Sequence, residues 1–366
     1  MTNQRKSIYC TVTNDLNQDQ RMHRICSSLS SWGHDVTLVG RSKAKSHPLL
    51  NFNFKQKRLN CYSQKGFLFY AEYNIRLFFY LLFSPADIIY SVDSDTLMAG
   101  GLVRMIKGQS QIYDAHEYFT EVPELYQRTF VQKFWISLEN IFVPRADAFI
   151  TVNESLANLF SSRFQKKFHC IYNVPLYKNN PPQNPSKPPF IVYQGMLNAG
   201  RGLETMIEAM PMIKNMHLNI IGEGDLSEEL RSQAKSGPAR DRIHFLGWLT
   251  PTQISDFTLK ATVGVNLLQA DSKSYYYSLA NKFFDYMHAE VPSVNMNFPE
   301  YELIHQRFKT GILISELNPE IIATAINNMT TDEDHYLSMK TACNRAKNWY
   351  NWQTEEKKLK AIFDIL

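Results

Sequence analysis

The sequence predicts an α/β protein made of two doubly wound, parallel-sheet domains in series. Short β-branched and aromatic runs alternate with longer helical patterns along the whole chain, as βα units require. The alternation breaks once, at residues 179–189 (NNPPQNPSKPP), where five of eleven residues are proline and no regular element persists. The length of 366 residues, 44% of them hydrophobic, suffices for two cores.

In the first half, strands are expected over residues 8–13, 36–41, 52–60, 87–92, 111–115, 148–152 and 169–174, with helices over 20–31, 70–83, 96–106, 133–142 and 154–164. Beyond the prolines the strands restart at 190–194, 217–221, 243–246, 263–268, 293–295 and 311–314, separated by helices such as 203–210 and 227–235. The tail, 336–366, reads as one or two helices with a solvated charged face. The expected division is therefore a first domain over 1–178, a linker over 179–189, a second domain over 190–345 and a terminal helix over 346–366.

Charge and cysteine usage narrow the function classes. Lys and Arg number 39 against 35 Asp and Glu, a net charge of +4 that carries no polyanion-binding excess, so no nucleic-acid partner is expected. The five cysteines form no C-x-x-C pair, which disfavours a disulfide framework and a zinc knuckle and fits a reducing, cytoplasmic location. The N-terminal stretch has no apolar run of signal-peptide length. The greasiest stretch, 66–83, is interrupted by Glu72 and Arg76 and falls short of the roughly 20 apolar residues of a membrane span. From Phe54 to Arg76, the cations Lys55, Lys57, Arg58, Lys65 and Arg76 mix with Phe54, Phe67, Phe69, Tyr70 and Tyr73. Two readings stand for this segment: a peripheral contact with the inner face of an anionic membrane, or core aromatics beside solvated cations.

Ligands of doubly wound sheets sit beyond the carboxyl ends of the strands, so the residues there carry the functional information. The first such turn (NDLNQDQR) has no glycine, which excludes a dinucleotide fingerprint. Its Asp19 and Arg21 either cap and flank the next helix or face the ligand. After the strand at 111–115 come His116 and Glu117, where Thr120 takes the place of the second histidine of a zinc H-E-x-x-H motif, so no metal site is expected. His116 is placed either for proton transfer or for a structural hydrogen bond.

The second domain opens with a glycine-bearing loop, YQGMLNAGRGLETMIEAM, in which Gly195, Gly200 and Gly202 flank Arg201. That combination suits a phosphate cradle, although the P-loop consensus fails. The next strand ends in IIGEGDL, with Glu223 between two glycines but Ser227 at the third glycine position of a dinucleotide motif. The richest run is DSKSYYYSLANKFFDYMHAE. With a helix starting near Leu279, Asn281 and Asp285 share one face and Lys282 lies one turn before Asp285. This is either a diphosphate and ribose site or a helix capped by Ser278 with an internal ion pair.

Together YQGMLNAGRGLETMIEAM, NIIGEGDL, HFLGWLT and SLANKFFDYMHAEVPSV resemble the donor-binding half of glycosyltransferase family 4, and GHDVTLVGR, ADIIYSVDSDTL, IYDAHEYFTEVPEL and ADAFITVNESLA are similar to its acceptor-side half. The resemblance implies a GT-B fold, two Rossmann-like domains facing a central cleft. It also implies metal-free transfer of a sugar, with retention, from a UDP- or GDP-linked donor to a saccharide or lipid-linked acceptor in polysaccharide or glycolipid synthesis. Carried over by position, Gly195, Arg201 and Lys282 would hold the diphosphate, Asp285 the ribose, and His116 the transferred sugar. Glu223, Tyr277 and Asn281 complete the donor side, and Asp19, Arg21 and Glu117 the acceptor side. Tyr277 replaces the first acid of the family's E-x7-E motif and Met196 a common arginine. Two alternatives accompany this reading. A nucleotide-sugar 2-epimerase would need Asp95, Glu117 or Glu121 beside the sugar, and Tyr277 and Met196 are the departures that would suit an inactive nucleotide-sugar-binding scaffold.

Overall fold

The computed structural model describes residues 5–43, 46–122, 125, 128–179 and 186–366. The first four residues of the chain, residues 180–185 of the proline-rich stretch, and Pro123 and Glu124 of the first-domain motif lie outside them. The chain divides into two compact units, one of Met1–Asn173 with Glu355–Leu366 and one of Val174–Thr354.

The first unit runs β1 (Ser7–Thr11), α1 (Gln20–Ser31), β2 (Asp35–Arg41), β3 (Lys55–Leu59), α2 (Gly66–Leu82), β4 (Ile88–Val92), α3 (Asp93–Lys107), β5 (Ser110–Ala115), α4 (Thr129–Phe142), β6 (Ala148–Thr151), α5 (Glu154–Phe164) and β7 (His169–Cys170). The strands form one parallel seven-stranded sheet in the order β3-β2-β1-β4-β5-β6-β7. Strands β4 and β5 are buried almost throughout because helices cover both faces, whereas β3, at the edge, is lysine-rich and alternates in exposure. Helix α3 packs against α2 on one side and α4 on the other. It lies close to α4 because Gly101 has no side chain: a Cβ there would stand 2.4 Å from the ring of Phe142. Helix α2 begins at Gly66, earlier than its periodicity suggested, and turns Phe69, Tyr73, Leu77 and Leu81 inward. Of the aromatics read as a mixed surface, Phe54, Phe69 and Tyr73 are therefore core, Tyr70 is half-buried, and only Phe67 is exposed.

An ion pair in the interior ties α1 to the middle of this sheet. Arg21 donates from Nη2 and Nε to the two carboxylate oxygens of Asp114 at 3.0 and 3.1 Å, and from Nη1 to the carbonyl of Ile171 at 2.7 Å. Tyr90 donates to the same carboxylate at 2.7 Å. The last helix, α14 (Trp352–Phe363), carries the chain back into this unit. There Glu355 accepts the Tyr172 backbone N–H at 3.0 Å and the Phe363 ring stacks over Tyr90.

The second unit runs β8 (Phe190–Gln194), α6 (Leu203–Ala209), β9 (His217–Ile221), α7 (Ser227–Ser236), β10 (Ile243–Gly247), α8 (Pro251–Thr258), β11 (Val263–Asn266), α9 (Lys273–Tyr276), α10 (Asn281–His288), β12 (Ser293–Met296), α11 (Pro299–Arg307), β13 (Gly311–Ile314), α12 (Pro319–Thr331) and α13 (Glu333–Lys347). Its parallel six-stranded sheet has the order β10-β9-β8-β11-β12-β13. Gly264 of β11 lets the Tyr286 ring of α10 lie flat on the sheet, where a Cβ would stand 2.4 Å from it. The Tyr286 hydroxyl donates to the carbonyls of Val192 and Val265. Helix α10 is thereby fixed over the junction of β8 and β11.

Asp114→Asn removes the counter-charge from a guanidinium that is 2% exposed. Urea denaturation is expected to show a loss of about 3–5 kcal/mol for this variant. Arg104→Ala, which breaks the half-exposed pair with Asp147, is expected to cost under about 1 kcal/mol.

Candidate functional site

Each sheet reverses strand order once, between β1 and β4 in the first unit and between β8 and β11 in the second. Such a reversal splays the following loops apart and leaves a crevice at the carboxyl end of the strands. The candidate residues are best judged unit by unit against these two places.

In the second unit, the loop after β8 is built from glycines for steric reasons. Gly195 (φ +137°), Gly200 (φ +79°) and Gly202 (φ +67°) all take backbone conformations that side chains disfavour. A Cβ on Gly202 would stand 2.1 Å from the carbonyl oxygen of Leu267, so this loop lies directly against the one after β11. The backbone of Gln269 donates to Gly200 at 2.9 Å across the same seam. On β9's side, Gly222 lies so close to Gly195 that a Cβ would stand 1.9 Å from the Gly195 carbonyl oxygen.

Two cations converge on this loop without a counter-charge. Lys282, in the first turn of α10, is buried, with Nζ 3.7 Å from the centroid of the Tyr193 ring and 3.3 Å from the position a Gly195 Cβ would take. Arg201 stacks over Tyr275 at 4.9 Å, and its buried Nε has no hydrogen-bond partner. Among the described residues no carboxylate lies within ion-pair distance of either side chain. Burial, followed by the field of Arg201, pushes the Lys282 ammonium well below its usual pKa, while Asp285 opposes the shift. The N-terminus of α10 adds to the positive field: Ala280 is its N-cap and makes no side-chain capping bond. Ser278 does not cap the helix and donates to the Tyr275 carbonyl instead. Cations without an ion-pair partner, an uncapped helix start and a bare glycine backbone are chemically suited to hold an anion.

The neighbouring residues take different roles. Asp285 accepts a 2.7 Å hydrogen bond from Gln194, which accepts in turn from Thr258 at 2.8 Å, so the carboxylate is oriented from the end of β8. Glu223 is held by Arg231 at 2.5 Å, a pairing within its own βα unit. Asn281 is exposed at the start of α10, and Tyr277 closes the short helix α9 with its ring edge-on to Tyr276. Gln194, Tyr193 and Tyr275 were not anticipated as site residues. Gln194 had a signal, being the last residue of a strand that meets the reversal point.

In the first unit, Asp19 is the N-cap of α1, accepting from the Met22 backbone at 3.0 Å. Arg21 does not face the ligand end, because its guanidinium is consumed by Asp114 and Ile171 in the interior. His116 Nε2 sits 3.0 Å from Asp114 Oδ2 and 3.1 Å from Arg21 Nε, and its backbone N–H donates to Asp93 at 2.7 Å. Burial works against a charged ring, but Asp114 and then Asp93 outweigh it and hold the His116 pKa above its usual value. Burial also pushes up Asp93 and Asp95, with Glu117 adding to both; Asp95 reaches about 7. Thr13, two residues past the end of β1, donates to Asp95 and so bridges the reversal point. Asp93, which takes a left-handed conformation (φ +53°) directly after β4, joins His116, Asp95 and exposed Glu117 in a cluster that sequence reasoning recognised only in part.

Among the described residues no group of three or more His, Cys, Asp or Glu side chains is arranged to hold a metal ion, and no helix is long and apolar enough to cross a membrane. Comparisons with known proteins follow the division of the chain. Residues 18–174 match the family model described as Glycosyltransferase Family 4, and residues 188–332 match the one described as Glycosyl transferases group 1. No curated protein matches the sequence. Sucrose-phosphate synthase from Thermosynechococcus elongatus is similar in fold, with 16% identity, a TM-score of 0.80 and 98% of each chain covered. HepE of Anabaena, solved in complex with UDP-glucose, is similar at 14% identity and a TM-score of 0.76, over 99% of this chain and 100% of that one. WaaG, a glycosyltransferase involved in lipopolysaccharide biosynthesis, is similar at 16% identity and a TM-score of 0.71, over 97% of this chain and 99% of that one. Fold and family models together define the chain as a glycosyltransferase of the family 4 type with the GT-B fold.

Two variants probe this geometry. Lys282→Met replaces a buried, unpaired cation by an apolar chain of similar length, so the nucleotide-free protein is expected to melt at a higher temperature by differential scanning calorimetry. Asp95 keeps its proton in the folded state to about pH 7, whereas an unfolded aspartate releases it near ~3.9. The folded state therefore binds more protons between those values, and stability falls as pH rises through them. Urea midpoints at pH 5 and pH 7.5 are expected to lie closer together in Asp95→Asn than in the parent protein.

Proposed function

We propose that this glycosyltransferase moves a sugar, with retention of anomeric configuration, from a nucleoside-diphosphate sugar to a saccharide or lipid-linked acceptor in polysaccharide or glycolipid synthesis. The observation that carries the proposal is the pair of cations without acidic partners, Arg201 and Lys282, at the β8–β11 reversal point. A diphosphate supplies the missing negative charge, accepts from Arg201 Nε and Lys282 Nζ, and fits against Gly195, where a side chain would intrude. The same two charges stabilise the diphosphate as it departs, which is where charge develops when the glycosidic bond breaks. Asp285, oriented by Gln194, is suited to accept from the two hydroxyls of a ribose. HepE, similar in fold, has been solved with UDP and with UDP-glucose, which favours uridine as the base to test first.

On the acceptor side, His116 and Asp93 are the residues assigned to hydroxyl recognition, and Asp19 and Arg21 become supports of the loop that presents them. Membership among transferases sets the epimerase reading aside.

Titration calorimetry of the full chain with UDP and with GDP is expected to show saturable binding of one of them, weakened at least tenfold in Arg201→Ala and in Lys282→Met. Binding is expected to take up a proton, because an anion raises the depressed Lys282 pKa, so affinity falls as pH rises above the free-state value. Failure of both nucleotides to bind, or variants that bind like the parent, would refute the assignment.

A further inference from the structure

Helix α10 carries Lys282 in its first turn, so whatever fixes that turn also aims the ammonium. Helices commonly fix their first turn with a Ser, Thr, Asp or Asn at the N-cap, whose side chain accepts from backbone N–H groups of the turn. A Glu or Gln three residues on then reaches back to the N-cap N–H. Helix α10 has neither: its N-cap is Ala280, which has no side-chain oxygen, and the residue three on is Phe283. A cap of the ordinary kind would itself cover the helix start on which the proposed diphosphate sits.

Half of the missing cap comes from another helix. Tyr301, in the first turn of α11, accepts the Ala280 backbone N–H on its hydroxyl at 2.9 Å. The Phe283 N–H donates in turn to the Ala280 carbonyl at 3.0 Å, so the residue that Tyr301 holds also closes the turn containing Lys282. The Tyr301 side chain is itself held. It is 1% exposed, with its ring edge-on to Phe283 at 5.2 Å and Phe298 on another side at 6.5 Å. Asn266, the last residue of β11, and Ser278 also bear on its hydroxyl, and the field of Arg201 reaches it. Tyr301 therefore stands behind the helix start, next to the place where the two cations meet.

A second anchor is needed there. Tyr286, lying flat on Gly264, fixes the second turn of α10 and leaves the first to be fixed separately. With eight residues, the helix has little rigidity of its own.

We infer that Tyr301 is a positioning residue of the donor site: by holding the Ala280 N–H, its hydroxyl sets the direction of the first turn of α10 and places the Lys282 ammonium against the glycine loop. The inference rests on the diphosphate reading above and adds to it a residue that does not touch the reacting groups.

The test is titration calorimetry of the full chain with whichever of UDP and GDP the parent binds. Tyr301→Phe keeps the ring among its apolar neighbours and removes one oxygen. It is expected to weaken binding about fivefold, as the loss of one hydrogen bond of ordinary strength would. In the Lys282→Met background the same substitution is expected to weaken binding less than about twofold, because the bond acts through the lysine. Tyr336→Phe is the control for general loosening. It removes a hydroxyl that donates to the Thr262 carbonyl at 2.9 Å, beside the opposite end of β11, and is expected to leave affinity within about twofold of the parent. Without nucleotide, amide hydrogen exchange is expected to quicken at the start of α10 in Tyr301→Phe and not in Tyr336→Phe. Undiminished binding by Tyr301→Phe, an equal loss in the Lys282→Met background, an equal loss in Tyr336→Phe, or unchanged exchange would overturn the inference while the diphosphate reading stands. A parent that binds neither nucleotide would refute that reading, and the inference with it.

Discussion

The second unit is organised around a positive charge that it leaves unneutralised. Lys282 is buried under a glycine loop, against the face of Tyr193 and beside Arg201, and among the described residues no carboxylate lies within ion-pair distance of it. A buried cation in that condition is a cost to the fold, and proteins keep one where a ligand removes the cost. The surrounding geometry follows from making room for it. Gly195 must be bare above the ammonium, Gly222 must be bare beneath Gly195, and Gly202 must be bare to bring Arg201 against the β11 loop. Tyr286, lying flat on Gly264, fixes the helix that carries the lysine.

The first unit handles charge in the opposite way. Its buried guanidinium, Arg21, is matched by Asp114 and the Ile171 carbonyl, and the Tyr90 hydroxyl donates to the same carboxylate. That completeness marks it as architecture. The groups left with perturbed protonation lie just above it: His116, which shares the Asp114 carboxylate, and the acids Asp93 and Asp95. A rigid ion pair below and titrating groups above let the ring of His116 be held without being used up, since one ring nitrogen suffices to anchor it.

Much of this was legible from the sequence. The inner strands of both sheets coincide with apolar or β-branched runs, because a parallel sheet covered on both faces needs them, while the edge strand β3 is lysine-rich. The glycine loop and Lys282 were legible because strand-end position and residue type together limit what they can do. Direction was harder to read. Arg21 stands near a strand end, as a ligand-facing residue would, and only the fold shows that its side chain turns inward to Asp114. The same gap explains Phe69 and Tyr73: in a helix apolar on both sides, composition does not say which side meets the core. Gln194 escaped notice because its role, aiming Asp285, exists only once residues 91 positions apart are brought together. The start of α10 was misjudged because Ser278 has the chemistry of a cap, yet its hydroxyl is taken by Tyr275.

The return of Glu355–Leu366 to the first unit has a consequence for the order of assembly. A chain emerging from the ribosome completes the sequence of Met1–Asn173 long before the residues that finish its core exist. The Tyr172 backbone lacks Glu355, and the Tyr90 ring lacks its Phe363 neighbour, until residues 355–363 have been made. The first unit made is thus the last to be sealed, and the second folds while the first waits with an open flank. A polypeptide cut short before Glu355 therefore injures the fold of Met1–Asn173.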